Sequence, residues 1–173
     1  MAEDNIYEEA NDSQIILPED ENPFRNDIKT STEIKLSLSG VVTELEKNHS
    51  KTRLFTTAEM VCDTEGLIHS GFIFSAANYA ALTSINLQNC VTINARINFF
   101  APAKLGDVID FEATAYFDES RKRDVRVIGR IREMKVFEGT FQLVTLDEHI
   151  FTAQQKNIKK EAALRRARDK EQA

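Results

Sequence analysis

The sequence predicts an α+β domain in which an antiparallel sheet wraps around a central apolar helix. Three observations carry this. Apolar residues recur at every second position in several separate runs, the mark of half-buried strands. One central segment, residues 63–86, is crowded with small residues and has larger apolar ones on every side, the mark of a buried helix. The later runs follow one another across short turns, which argues for antiparallel neighbours. The chain has 173 residues, 42% apolar and 29% charged. That suffices for one core.

Residues 1–33 read as an acidic arm, extended or mobile. Through residue 27 the arm holds nine acids against one base, and Pro18 and Pro23 interrupt its scattered apolar residues. Residues 34–149 form the body. Ile34, Leu36 and Leu38 alternate with polar residues, so 34–46 reads as a strand, with a bulge near Gly40 and Val41–Val42. A second strand runs over 52–62. The helix follows. Ser70, Gly71, Ser75, Ala76, Ala77, Ala80, Ala81 and Ser84 let other backbones approach it, and Ser70 is placed to cap its start. Four strands come next, over 91–100, 108–118, 124–134 and 135–146, and read as a meander. Residues 150–173 are good helix formers with a thin apolar stripe, Ile158 and Ala162. From Gln154 onward this tail holds seven bases and three acids.

Several classes are excluded. No stretch approaches the ~18 apolar residues that span a bilayer. The N-terminus, MAEDNIYEEA, lacks an apolar signal segment. Cys62 and Cys90 are too few for a disulfide framework, and no Cys/His cluster has zinc spacing, so no metal is expected. A reducing cytoplasm is the simplest location. The net charge of −6 argues against generic nucleic-acid binding. The acidic arm and the basic tail are the candidate contacts for a protein partner, and one is a candidate partner for the other.

Two segments resemble a known superfamily. Residues 66–78, GLIHSGFIFSAAN, resemble the G-x-x-H-G-G…A-D pattern of phenylacetate-type thioesterases, here with H-S-G and A-N. Residues 96–108, RINFFAPAKLGDV, resemble the strand that ends in Pro-x-x-x-Gly-Asp/Glu in the same group. With the element order, these resemble the hotdog fold of acyl-CoA thioesterases, dehydratases and acyl-CoA sensors over roughly 35–146. The texture is also similar to the ligand domain of the malonyl-CoA-sensing repressor of fatty-acid synthesis. It is similar again to hotdog proteins co-expressed with flagella in epsilonproteobacteria. The resemblance implies a homodimer or higher homo-oligomer with paired edge strands. It implies acyl-CoA or CoA as ligand, bound between subunits, and no other cofactor.

Departures from the family shape the functional expectation. Where hydrolytic relatives hold Asp or Glu on the helix, this chain holds Asn78. An amide cannot take a proton from water. A non-catalytic acyl-CoA binder is therefore expected, linked to fatty-acid metabolism, motility or virulence. The expected ligand-binding residues are His69, Ser70, Gly71, Phe74, Asn78, Phe100, Pro102 and Lys104, with Arg121, Lys122 and Arg123 for the CoA phosphates. Asn78 either bonds the facing sheet or points at the thioester, and His69 either caps backbone or lines the pocket. Phe99, Phe100 and Phe111 also read as core. Arg126, Arg130 and Arg132 share a strand face by even spacing. Cys62 and Cys90 read as inert, and His49 and His149 show no partner.

The alternative is a thioesterase. With Asn78 and His69 in the pocket, it takes its base from Glu59, Asp63, Glu65 or the partner subunit and polarises the carbonyl with the Ser70 or Gly71 N–H. The hydratase Asp-x-x-x-x-His pattern is missing. Residues 1–33 hold no helix-turn-helix pattern, so direct DNA binding is not expected. The position matching the repressor's malonyl-binding arginine is His69, which speaks against malonyl selectivity.

Overall fold

The computed structural model describes residues 22–116 and 120–171. The Ile15-Ile16-Leu17 run of the arm, a candidate to dock on a groove or on a second subunit, lies outside the described residues. The elements are α1 (Leu36–Ser39), β1 (Val41–Glu46), β2 (His49–Phe55), α2 (Ser70–Ile85), β3 (Cys90–Phe99), β4 (Val108–Tyr116), β5 (Lys122–Ile131), β6 (Met134–Thr145) and α3 (Ile150–Glu171). The six strands form one antiparallel sheet in the order β1-β2-β4-β5-β6-β3, and α2 packs on its inner face. This is the α+β architecture expected from the sequence.

Alternation builds that inner face. Leu54 on β2, Ile109 and Phe111 on β4, Val125 and Val127 on β5, and Phe137, Phe141 and Leu143 on β6 are all buried. Against them α2 presents Ala76, Ala77, Ala80 and Ala81, each fully buried, so the helix backbone approaches the sheet closely. Ser50 on β2 donates its hydroxyl to the Ala80 carbonyl at 2.9 Å and meets the Thr83 hydroxyl at 3.0 Å, which satisfies the buried polar groups. The outer face is a ladder of ion pairs: Lys51–Glu44, Arg53–Asp110, and Arg126 with Lys135 on Glu138.

Several expectations need correcting. Residues 36–39 are a helical turn, not a strand. Leu36 and Leu38, two apart, carry the strand period, but Gly40 decides otherwise: at φ +88° it donates its N–H to the Leu36 carbonyl and closes a helical turn. A Cβ there would stand 2.7 Å from the Arg53 carbonyl oxygen. The bulge falls between Val42 and Glu44. The second strand ends at Phe55, and a 3-10 turn over Ala58–Met60 follows. The meander covers only β4-β5-β6, because β3 pairs with β6 at the sheet's far edge. Arg132 leaves the shared face, since it sits at φ +54° in the β5–β6 turn. His49 faces Glu44 and Glu112. His149 accepts the Phe151 N–H on its Nδ1. Within the arm, Asp27 and Lys29 are clipped to the Asn86 side chain at the end of α2 by bonds of 2.9 and 2.7 Å.

Gly129 is needed for space. A Cβ there would lie 2.8 Å from the Phe111 ring and 3.1 Å from Phe137. Gly129→Ala is expected to lower stability by about 1–3 kcal/mol, the usual cost of overpacking. Chemical denaturation checks this through a lowered midpoint at unchanged slope.

Candidate functional site

The candidate site lies at the N-terminus of α2. The chain before it is clipped to the loop after β3: Ile68 N–H bonds the Ala103 carbonyl and Leu105 N–H bonds Gly66. This places the helix start beside Phe100 and Pro102. His69, not Ser70, is the cap: its Nδ1 accepts the Gly71 N–H at 3.0 Å. A Cβ at residue 71 would sit 2.8 Å from that Nδ1, so glycine lets the ring lie this close.

That bond fixes the chemistry of His69. Nδ1 is an acceptor, so the neutral ring carries its proton on Nε2 and offers a donor. The Gly71 N–H is consumed and is not free to polarise a carbonyl. The Ser70 N–H makes no backbone bond among the described residues. The His69 Nε2–H and the Ser70 N–H are the donors left at the positive end of the helix dipole.

His69 and Ser70 line a cleft of about 470 Å³ with Phe99, Phe100 and Pro102. A neighbouring cleft of about 500 Å³ shares Leu67 and Pro102 with it and adds Asp63, Glu65 and Lys104. On the other side, His69, Gly71 and Phe72 border a third cleft of about 430 Å³ with Leu38 of α1. Phe111 is core, as expected, but Phe99 is 43% and Phe100 54% exposed. They are wall, and Phe100 lies under the Lys135 ammonium at 4.3 Å.

The remaining candidates are spread out. Asn78 lies eight residues along α2, half-buried, and its Oδ1 accepts the Thr92 hydroxyl at 2.6 Å. Its amide N–H groups have no partner among the described residues. Phe74 stacks on Phe141 at 5.8 Å and so belongs to the sheet contact rather than to the clefts. Asp63 spends Oδ1 on the Glu65 and Leu67 N–H groups, while Glu59 and Glu65 are exposed.

Arg121 pairs with Asp147 at 2.6 Å. Lys122 and Arg123 pair with Val144 and Leu143, whereas Phe99 pairs with Phe137. Seven residues of strand separate those rows, roughly 23 Å. Within one chain, the basic run and the Phe100–Lys104 wall therefore stand at opposite ends of the sheet.

Sequence reasoning missed Thr92, because nothing in a strand pattern marks the residue facing a helix amide. It also misplaced Cys62, which is exposed and lines the His69 cleft. Cys90 is buried, and burial pushes its thiol up to about 11. Iodoacetamide at pH 8 is expected to alkylate Cys62 and spare Cys90 in the folded chain. Peptide mass mapping reads the outcome.

Residues 65–127 match the model of the thioesterase superfamily. The chain is 52% identical to Cj0977, a sigma28-regulated virulence protein of Campylobacter jejuni. Its structure superposes with a TM-score of 0.73 over 73% of this chain and 90% of that one. Over 133 residues the chain is 36% identical to the methylthioribose-1-phosphate isomerase of Aquifex aeolicus, covering 77% of this chain but only 29% of that enzyme. It is 28% identical to the transcription factor FapR of Caldanaerobacter subterraneus over 69% of this chain and 60% of that one. The chain thus spans less than two thirds of either curated relative. At the level of fold alone it is similar to a hypothetical thioesterase of Streptococcus pneumoniae with coenzyme A (16% identity, TM-score 0.57, 62% of this chain and 86% of that one). It is similar in the same way to smu.793 of Streptococcus mutans bound to acetyl CoA (22%, 0.58, 68% and 96%). Taken with the helix-in-sheet architecture and the clefts at the start of α2, these likenesses place the chain in the thioesterase superfamily, with the hotdog fold.

Proposed function

We propose that this protein binds acyl-CoA thioesters without hydrolysing them and works as a cytoplasmic homodimer. One observation carries the reading. The helix that presents the site has no carboxylate: no acid lies between Glu65 and Asp107, and Asn78 holds the place of the family's base. Asn78 is fixed by Thr92 and can donate a hydrogen bond, but it cannot accept a proton from water. His69 Nε2–H and the Ser70 N–H supply donors for a thioester oxygen. Donors without a base bind and orient. Two proteins sharing the fold were crystallised with coenzyme A or acetyl CoA, so the fold accommodates this ligand class.

The second subunit enters through β3. Among the described residues this ten-residue edge strand pairs with β6 alone, and Ile93 is 47% exposed along it. A long edge of this kind invites pairing. Antiparallel β3–β3 pairing between two copies brings the Arg121–Arg123 end of one chain to the Phe100–Lys104 end of the other. Light scattering at micromolar concentration is expected to give a dimer or a multiple of it, and a monomer would overturn the shared site. The acidic arm and α3 then remain as partner-facing segments linked to motility or virulence. The Campylobacter relative is described as a sigma28-regulated virulence protein.

Glu65 favours a second reading, hydrolysis, because it lines the cleft next to His69. Native mass spectra with acyl-CoAs from acetyl to palmitoyl, with free CoA followed in the same samples, separate the two. Intact stoichiometric complexes without CoA release are expected. Steady release that disappears in Glu65→Gln would establish the hydrolase instead.

A further inference from the structure

On the outer face of the sheet, away from α2, the β1–β2 hairpin brings His49 together with Glu44 and Glu46. One ligand atom from each lies within 4.8 Å of the others. Both nitrogens of the His49 ring face carboxylates, which only accept. Nε2 is 3.2 Å from Glu112 Oε1, and Nδ1 is 3.4 Å from Glu44 Oε1. A neutral ring has one proton and satisfies one of these contacts. The other is then lone pair against lone pair. Nδ1 is that orphan: the atom is buried and has no hydrogen-bond partner. A positive centre belongs between Nδ1 and Glu44.

A proton on the ring would serve the Glu44 contact alone. Glu46 stands opposite His49 in the β1–β2 register and brings a third ligand atom to the same point, and a divalent cation would use all three. Tetrahedral ligands about 2.0–2.1 Å from zinc stand roughly 3.4 Å apart, the separation seen between Nδ1 and Glu44 Oε1. Lys51 takes the other Glu44 oxygen at 2.8 Å and leaves Oε1 free. Glu112, accepting from Nε2–H, holds the ring in the tautomer with a bare Nδ1, the usual carboxylate–histidine–metal arrangement. Three carboxylates and one ammonium surround the imidazole, a local charge that favours a dication.

We infer that Glu44, Glu46 and His49 form a binding site for a divalent transition cation of the zinc type, with Glu112 as a positioning residue. Water fills the fourth place. Because the ligands come from β1 and the start of β2, and Glu112 comes from β4, the cation ties the outermost strand to the sheet. It takes no part in the chemistry at α2.

The test uses the full chain, free of affinity tag and stripped with chelator. Zinc chloride is titrated by calorimetry, and Tm is followed in parallel. One zinc per chain and a rise in Tm are expected. His49→Gln and Glu46→Gln should each weaken binding at least about tenfold, and Glu112→Gln should weaken it by about tenfold through the ring alone. Glu46 has no ion pair among the described residues, and circular dichroism confirms that its variant folds. Cobalt(II) should give ligand-field bands without thiolate charge transfer, which separates this site from Cys62. No uptake in excess zinc would mean that a proton alone bridges the ring, and would overturn the site. So would uptake undiminished in either ligand variant, or a cobalt spectrum with thiolate bands.

Discussion

Phe137→Ala should remove about 3–5 kcal/mol of stability, the cost of deleting a large aromatic from a closed core. Phe137 is fully buried, and its ring lies 5.4 Å from Phe99, 6.1 Å from Phe111 and 6.4 Å from Phe141. Gly129 and Gly139 leave no side chain beside it that could swing in to fill the hole. The loss of three aromatic contacts, each worth about 0.5–1.5 kcal/mol, puts the cost of the deletion toward the upper end of its range. A typical domain has only about 5–15 kcal/mol in total. The variant is therefore expected near the edge of folding at 25 °C. Denaturant titration gives the number, and a loss below about 1 kcal/mol would mean that the sheet closes around the gap. Because Phe99 forms part of the cleft wall, the same variant should also loosen that wall.

Asn78→Asp should produce the largest functional change. The substitution is isosteric, and the Thr92 hydroxyl can donate to a carboxylate as it does to the amide oxygen. It adds the one group that hydrolysis lacks on α2. General-base assistance is typically worth about 10²–10⁴ in rate. Release of CoA from a bound acyl-CoA is expected to rise by about that factor over the wild-type background, with affinity little changed. Stopped assays of free thiol measure it. A variant that binds and still releases nothing would show that residue 78 holds no water in line with the bound thioester. A wild type already as fast as the variant would move the base elsewhere, to Glu65 first.

What was legible in the sequence followed from periodicity. The inward residues of β4, β5 and β6 are a direct reading of the period of two, and α2 was read from its small residues and its apolar residues on every side. The 34–39 stretch misled because Leu36 and Leu38 carry the strand period of two, which the turn closed by Gly40 at positive φ overrides. The place of β3 was hidden for a different reason. Strand runs are local, but which strand pairs with which is decided by the core that α2 fills between β2 and β3. The candidate site was legible only as residue types at the helix start. Its wiring was not: that His69 Nδ1 consumes the Gly71 N–H, or that Thr92 holds Asn78, depends on contacts across 2 and 14 residues that no spacing rule encodes. The basic run was identified correctly as charge. Its distance from Phe100 reflects the strand order, which the sequence does not display.

The helix α3 makes no extensive contact with the sheet or α2 among the described residues, and Phe151, Ile158 and Leu164 stand exposed along it. Its 22 residues reach roughly 33 Å. A particle with such a spike tumbles and diffuses more slowly than a sphere of equal mass. Gel filtration against globular standards will therefore report too large a molecule, and a dimer will elute where a trimer or tetramer is expected. Shape-independent mass is needed to count subunits here, and removing residues 150–173 should shrink the Stokes radius by more than the lost mass accounts for.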